Sequence, residues 1–223
     1  MTFSLLARCK DTGRFGMVIA SSSPAVAARC AHARAGVGVA ASQNITDPAL
    51  GPLLLDAMAG KAAAAAMTQV VAGAAHRDVR QLMCVDRLGG VAWHCGAGML
   101  GIWAVAQWDG LVAGGNLLAN PRVPQAMVDG FSAAGDLGDR LIAALRAGRD
   151  AGGEAGPVHS AGLIMVESES WPVADLRCDW LDQGCPIEAV ARAWAVYGPQ
   201  MADYVQRARD PRAAPSYGVA GER

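Results

Sequence analysis

A chain of 223 residues, 52% apolar and 17% charged, can bury a sizeable single core and is not a disordered polymer. Its net charge of -1 and the scatter of its 19 lysines and arginines leave no basic stripe, so no nucleic-acid partner is expected. The longest apolar runs, 62–75 and 96–107, fall short of the roughly 20 residues that span a bilayer. No basic segment followed by an apolar one opens the chain, which predicts a cytoplasmic protein with no membrane partner.

In chain order, Phe3–Arg8 is an apolar strand-like run, Asp11, Thr12 and Gly13 are turn residues, and Phe15–Ala20 is a second strand. The chain therefore opens as a hairpin with no leader expected. Ala35–Ser42 alternates small and apolar residues, as a strand packed on both sides does. Asp47 and Pro48 mark a helix start, and Pro48–Ala59 carries Leu50, Leu53, Leu54, Ala57 and Met58 on one side. Lys61–Ala75 is a second helix, so rich in alanine that it must pack closely. Arg80–Asp86, Val91–Cys95, Ile102–Gln107 and Asp109–Ala113 read as strands.

Val123, Met127 and Phe131 recur at helical spacing within Pro121–Ala134. Asp136 caps the next helix, where Leu137, Leu141 and Leu145 share a face until Gly152 and Gly153. Ser160–Glu167 and Val173–Cys178 form a last strand pair, and Pro186 opens a helix that Gly198 and Pro199 break. Met201, Tyr204 and Val205 suggest a short continuation. A single domain over residues 1–206 and a loose tail over 207–223 follow. Helix pairs between hairpins, without β-α alternation, suit two antiparallel sheets covered by helices on both outer faces. The fold class expected is α+β, a four-layer αββα sandwich.

Cys9, Cys30, Cys84, Cys95, Cys178 and Cys185 include no C-x-x-C pair and read as reduced thiols. The four histidines lack ligand spacing with one another, so no metal is expected. His94 fits a core position, and His32 and His76 fit loop or surface positions. His159 and Ser160 are strand neighbours pointing to opposite faces, not a catalytic pair. Residues 96–101 satisfy G-x-G-x-x-G, yet no amphipathic helix and no acidic residue about 20 positions on follow, so no nucleotide cofactor is expected. The six tryptophans read as core or subunit-contact residues or as a stacking surface. Alanine-rich helices and the apolar excess suit close packing between subunits, and a homo-oligomer is expected.

One residue carries reaction chemistry. Aminopeptidases commonly remove an initiator methionine before a small residue, and Thr2 would then hold a free α-amine beside its own hydroxyl, a base and a nucleophile on one residue. Thr2 is otherwise an ordinary first-strand residue. The segments MTFSLLARCKDTGRFG, ARAGVGVAASQ, RQLMCVD, GGNLLA, RLIAALRAG and AGGEAG…HSAGLIMV occur in that order between residues 1 and 166. In them, and in its layout, the chain resembles the N-terminal-nucleophile (Ntn) hydrolase superfamily. More narrowly, it resembles a bacterial family of candidate Ntn hydrolases that carries a domain-of-unknown-function label.

That resemblance implies hydrolysis of a small-molecule amide by Thr2, with Asn116 holding the oxyanion. Gln43, Ser22 and Ser160 are the expected substrate contacts. Proteasome-type members add an acidic residue after the second strand and a lysine on the third. Here Ser21, Ser22 and Ser23 end the second strand, and the nearest cation is Arg34, which stays protonated and acts only on charge or on a substrate carboxylate. The alternative is a non-catalytic ligand-binding or scaffold protein that keeps the fold.

Overall fold

The computed structural model describes residues 1–131 and 135–221; the last three residues of the expected helix Pro121–Ala134, and the last two of the tail, lie outside the described residues. The strands are β1 (Thr2–Arg8), β2 (Phe15–Ser21), β3 (Ala31–Arg34), β4 (Gly38–Asn44), β5 (Arg80–Asp86), β6 (Val91–Cys95), β7 (Ala104–Trp108), β8 (Leu111–Asn116), β9 (Ser160–Val166) and β10 (Ala174–Cys178). The helices are α1 (Val26–Cys30), α2 (Leu50–Met58), α3 (Ala63–Gly73), α4 (Val123–Gly130), α5 (Leu137–Asp150), α6 (Pro186–Tyr197) and α7 (Met201–Arg209).

All strand pairs are antiparallel and form two sheets, six strands in the order β10-β9-β2-β1-β8-β7 and four in the order β3-β4-β5-β6. Side-chain alternation sorts the core into three layers. Phe3, Leu5, Val18, Ala113 and Leu163 pack under α4, α5 and α6 on the outer face of the large sheet. Leu6, Met17, Ile19, Met83, Val85 and Val112 lie between the sheets. Ala40, Leu82 and Cys84 pack under α2 and α3. The molecule is the four-layer αββα sandwich that the element order predicts.

The local signals explain most boundaries. Asp136 accepts the Gly138 N–H and Asp139 answers from N3, a capping box that starts α5. Asp47 accepts the Ala49 N–H at 3.0 Å just before α2. Short α1 and edge strand β3 are not expected from their sequences: VAARC and AHAR are too short and too rich in alanine to show either period. The strand expected over Ala35–Ser42 is displaced to Gly38–Asn44, because residues 35–37, with Gly36 at φ 70, turn the β3–β4 hairpin. At the other end α7 continues through Arg209, and Arg207 stacks on Tyr204 and Tyr217.

Candidate functional site

The layer between the sheets changes character along its length. At the Arg8 end of β1 it is aliphatic; at the Thr2 end it is polar. Thr2 lies opposite Asn116 in the β1–β8 ladder, Phe3 lies opposite Ala20 so that Ser21 is next in register to Thr2, and Ser21 lies opposite Ser160. Period-2 alternation puts all four side chains on the inter-sheet face. Asn116, Thr2, Ser21 and Ser160 thus form one row across four neighbouring strands, and all four are buried.

The centre of this row surrounds a peptide carbonyl. Thr2 Oγ1 and Ser21 Oγ both hydrogen-bond the Met1 carbonyl oxygen, and the two hydroxyl oxygens are 3.4 Å apart. Ser21 Oγ accepts the Ser23 N–H at 3.0 Å, which leaves its own hydrogen for that carbonyl. In this arrangement the α-nitrogen of Thr2 is the acylated nitrogen of the Met1–Thr2 peptide bond.

The facing sheet contributes amides. Ser4 Oγ donates to Gln43 Oε1 at 2.9 Å, Gln43 Nε2 donates to Gln81 Oε1 at 2.8 Å, and Asn116 Nδ2 donates to the same Gln81 oxygen at 3.0 Å. Two backbone carbonyls fix the amide orientations: Gln43 Nε2 also reaches Gly114 O, and Gln81 Nε2 reaches Gly115 O at 3.2 Å. Asn116 must therefore give its Nδ2 to Gln81, and its Oδ1 is left buried without a hydrogen-bond partner among the described residues. Gly114 lets the sheets approach: a Cβ there would stand 2.6 Å from Met83 Sδ. Leu117 follows Asn116 with φ 51, a left-handed conformation costing on the order of 1 kcal/mol or more in a residue of this shape.

That strained turn leads to a second orphan acceptor. Leu118 bridges Glu154, and the Ala155 N–H donates to Leu117 O at 3.0 Å, so Glu154 is brought to the end of β8. Glu154 is only 5% exposed. Its Oε1 accepts the Ser22 backbone N–H at 2.9 Å, and its Oε2 is buried with no partner among the described residues. Burial pushes its carboxyl up to about 7, against opposing pulls from the Ser22 hydrogen bonds, the Met1 α-amine and His159. Beside it opens a cavity of about 290 Å³, walled by Gly152, Gly153, Gly156 and Cys185. A Cβ on Gly156 would stand 3.6 Å from Met1 Cε and 3.7 Å from its sulfur, so the Met1 thioether faces this glycine.

The structure brings Thr2, Asn116, Gln43, Ser22 and Ser160 to one end of the sandwich. Within that group the Ser160 hydroxyl is committed to Ser23 O at 2.6 Å and accepts the Val26 N–H, so it anchors the turn into α1. Ser22 contributes its backbone N–H to Glu154. Arg34 is not brought there: it lies opposite Gly38 at the far end of β4, largely exposed and paired with Asp56 at 2.8 Å. Ser4, Gln81 and Glu154 join the site without having been singled out in the sequence. Ser4, between Phe3 and Leu5, and Gln81, before Leu82–Val85, are polar residues next to apolar runs that the sequence shows. Glu154 stands alone among glycines, with no periodicity to reveal its burial.

A larger cleft, about 680 Å³, lies at the opposite end of β1 between Arg8, Lys10, Trp108 and Arg140, and contains none of these groups. Among the described residues no group of three His, Cys, Asp or Glu side chains is placed to hold a metal ion, and no helix is long and apolar enough to cross a membrane. Chemically, this end of the sandwich offers a hydroxyl on the residue after Met1, a second hydroxyl donor on Ser21, and two buried acceptors, Asn116 Oδ1 and Glu154 Oε2.

A sequence profile of a family of unknown function, DUF1028, matches residues 2–190. No curated protein matches the chain. The crystal structure of a DUF1028 protein from Silicibacter pomeroyi superposes with a TM-score of 0.84 at 27% identity, covering 92% of this chain and 94% of that one. Anbu from Hyphomicrobium sp. strain MC1 superposes over 92% of this chain and 98% of its own at 11% identity, with a TM-score of 0.36 that carries no argument.

Proposed function

The chain belongs to DUF1028, a family of unknown function, and from its buried polar row we propose that it hydrolyses a small amide through Thr2 as an N-terminal nucleophile after Met1 is removed. The observation that carries this reading is the Met1 carbonyl held by the Thr2 and Ser21 hydroxyls on one face of the sheet. Removal of Met1 frees an α-amine on the residue whose hydroxyl already points at a carbonyl-binding position.

The steps then follow from ordinary acyl transfer. Thr2 Oγ bonds to the substrate carbonyl carbon while its proton passes to the Thr2 α-amine, whose pKa of about 7.7–8.0 suits a base near neutrality. The carbonyl oxygen takes the negative charge and is stabilised by the Ser21 hydroxyl, which donates to the Met1 carbonyl in the unprocessed chain. The C–N bond breaks as the proton moves from the α-ammonium to the leaving nitrogen, leaving an ester on Thr2. Water, deprotonated by the same amine, cleaves that ester and returns the proton to Oγ.

Asn116 takes a different part from the oxyanion role the family resemblance implies. Its Nδ2 is turned to Gln81, which leaves an unpartnered acceptor, Oδ1, on the residue directly across the ladder from Thr2. It orients the α-amine of Thr2 by accepting one of its hydrogens. The test is the intact mass of tag-free protein: loss of the Met1 mass is expected. Quantitative retention of Met1 overturns this reading and favours a non-catalytic binding protein.

A further inference from the structure

Met1 is itself an acyl group seated in the site, and its surroundings describe the acyl group that would replace it. Its carbonyl oxygen is held by Ser21 Oγ, its thioether lies 3.6–3.7 Å from where a Cβ on Gly156 would stand, and its α-amine, outside ion-pair distance of Glu154, is still close enough for its charge to favour the ionised carboxylate. Even with Met1 in place, Glu154 is only 5% exposed, with Oε1 fixed by the Ser22 N–H and Oε2 without a hydrogen-bond partner among the described residues. A buried carboxylate oxygen without a partner is costly unless a donor meets it. The cation nearest in the same cavity, Arg149, is already tied to Asp150 at 2.8 Å and Glu188 at 2.6 Å.

Resting on the Thr2 reading, we infer that the substrate is an amide of an α-amino acid with a free α-ammonium, its carbonyl oxygen on Ser21 Oγ and its ammonium on Glu154 Oε2. An ammonium supplies the missing donor and the missing charge together, which a neutral acyl chain does not. The side chain of that amino acid takes the place beside Gly156 that the Met1 thioether holds, in the cavity lined by Gly153, Gly156, Val158 and Ile187. The ester formed on Thr2 Oγ, two carbons from the nitrogen that Met1 acylates, keeps the carbonyl within reach of Ser21. The overall reaction consumes one water and releases the free α-amino acid and the amine.

Binding separates this assignment from catalysis. Thr2→Ala, whose small second residue still permits loss of Met1, is titrated calorimetrically with methioninamide and with N-acetylmethioninamide. Methioninamide is expected to bind at least about tenfold more tightly, and Glu154→Gln in the same background is expected to remove most of that preference. Equal binding of the two ligands, tighter binding of the acetylated one, or no binding of methioninamide up to 10 mM (roughly the weakest specific binding worth a site) overturns the aminoacyl assignment. The comparison of the two ligands needs only the intact Glu154 site, so it stands even where Glu154→Gln fails to fold. A protein that cleaves acetylated amides through Thr2 but ignores methioninamide keeps its nucleophile and loses this substrate class. Retention of Met1 removes both.

Discussion

Glu154 Oε1 accepts the backbone N–H of Ser22 at 2.9 Å, one residue beyond the serine whose hydroxyl holds the Met1 carbonyl. This bond ties the glycine-rich segment after α5 to the end of β2. It also fixes a buried carboxylate at the site, with one oxygen satisfied and the other without a partner among the described residues.

The first prediction concerns pH. Burial raises the Glu154 carboxyl from 4.5 to about 7, so between those values the native state holds a proton that the unfolded chain has released. Stability from this group is fully present below about pH 4.5 and is lost as pH rises through about 7, a change of at most about 3 kcal/mol. Urea unfolding of wild type and Glu154→Gln at pH 5 and pH 8 measures it. The wild type is expected to lose more stability between the two than the variant; parallel losses would show that Glu154 is not the group responsible.

A second prediction concerns the amide network. Gln81→Leu leaves Gln43 Nε2 and Gly115 O short of a partner and adds Asn116 Nδ2 to the unpaired groups. Each buried orphan costs about 1–3 kcal/mol, so the variant should be among the more damaging single changes at this end of the sandwich. A denaturation midpoint equal to the wild type's would contradict the network as drawn.

Arg34→Ala is the contrasting case. The Arg34–Asp56 pair is exposed on both sides and lies at the far end of the small sheet from Thr2. Its loss is expected to shift stability by no more than about 0.5 kcal/mol and to leave hydrolysis unchanged. A selective rise in KM would place Arg34 on a substrate path that the fold does not suggest.

Ser21→Ala removes the hydroxyl proposed to stabilise the oxyanion. It should lower kcat by roughly 10²-fold with little change in KM. Since Ser21 also accepts the Ser23 N–H, circular dichroism on the same sample checks that the turn survives.

Much of this was legible in the sequence, and the reasons differ by element. Pro186–Tyr197 carries a clear helical period closed by Gly198 and Pro199, and the Leu88-Gly89-Gly90 turn separates the apolar runs Arg80–Asp86 and Val91–Cys95, so the bounds of all three match the structure. The four layers follow from the order of hairpins and helix pairs. Thr2 and Asn116 were legible as residue types, but the bond that turns Asn116 into an acceptor depends on Gln81, on the other sheet. Arg34 attracted attention as a cation near a strand, and only the hairpin's direction shows that it ends up remote. Glu154 was invisible, because what makes it a site residue is its burial against Ser22, 132 residues away.

The most direct test of the central claim is amide hydrolysis by Thr2→Ala. A screen of small aminoacyl and acyl amides first supplies one that the tag-free wild type cleaves. Thr2→Ala is expected to fold normally, because it keeps Cβ on the first strand, and to lose on the order of 10³-fold or more in kcat/KM. Hydrolysis of that amide by Thr2→Ala at the wild-type rate would contradict the N-terminal-nucleophile account.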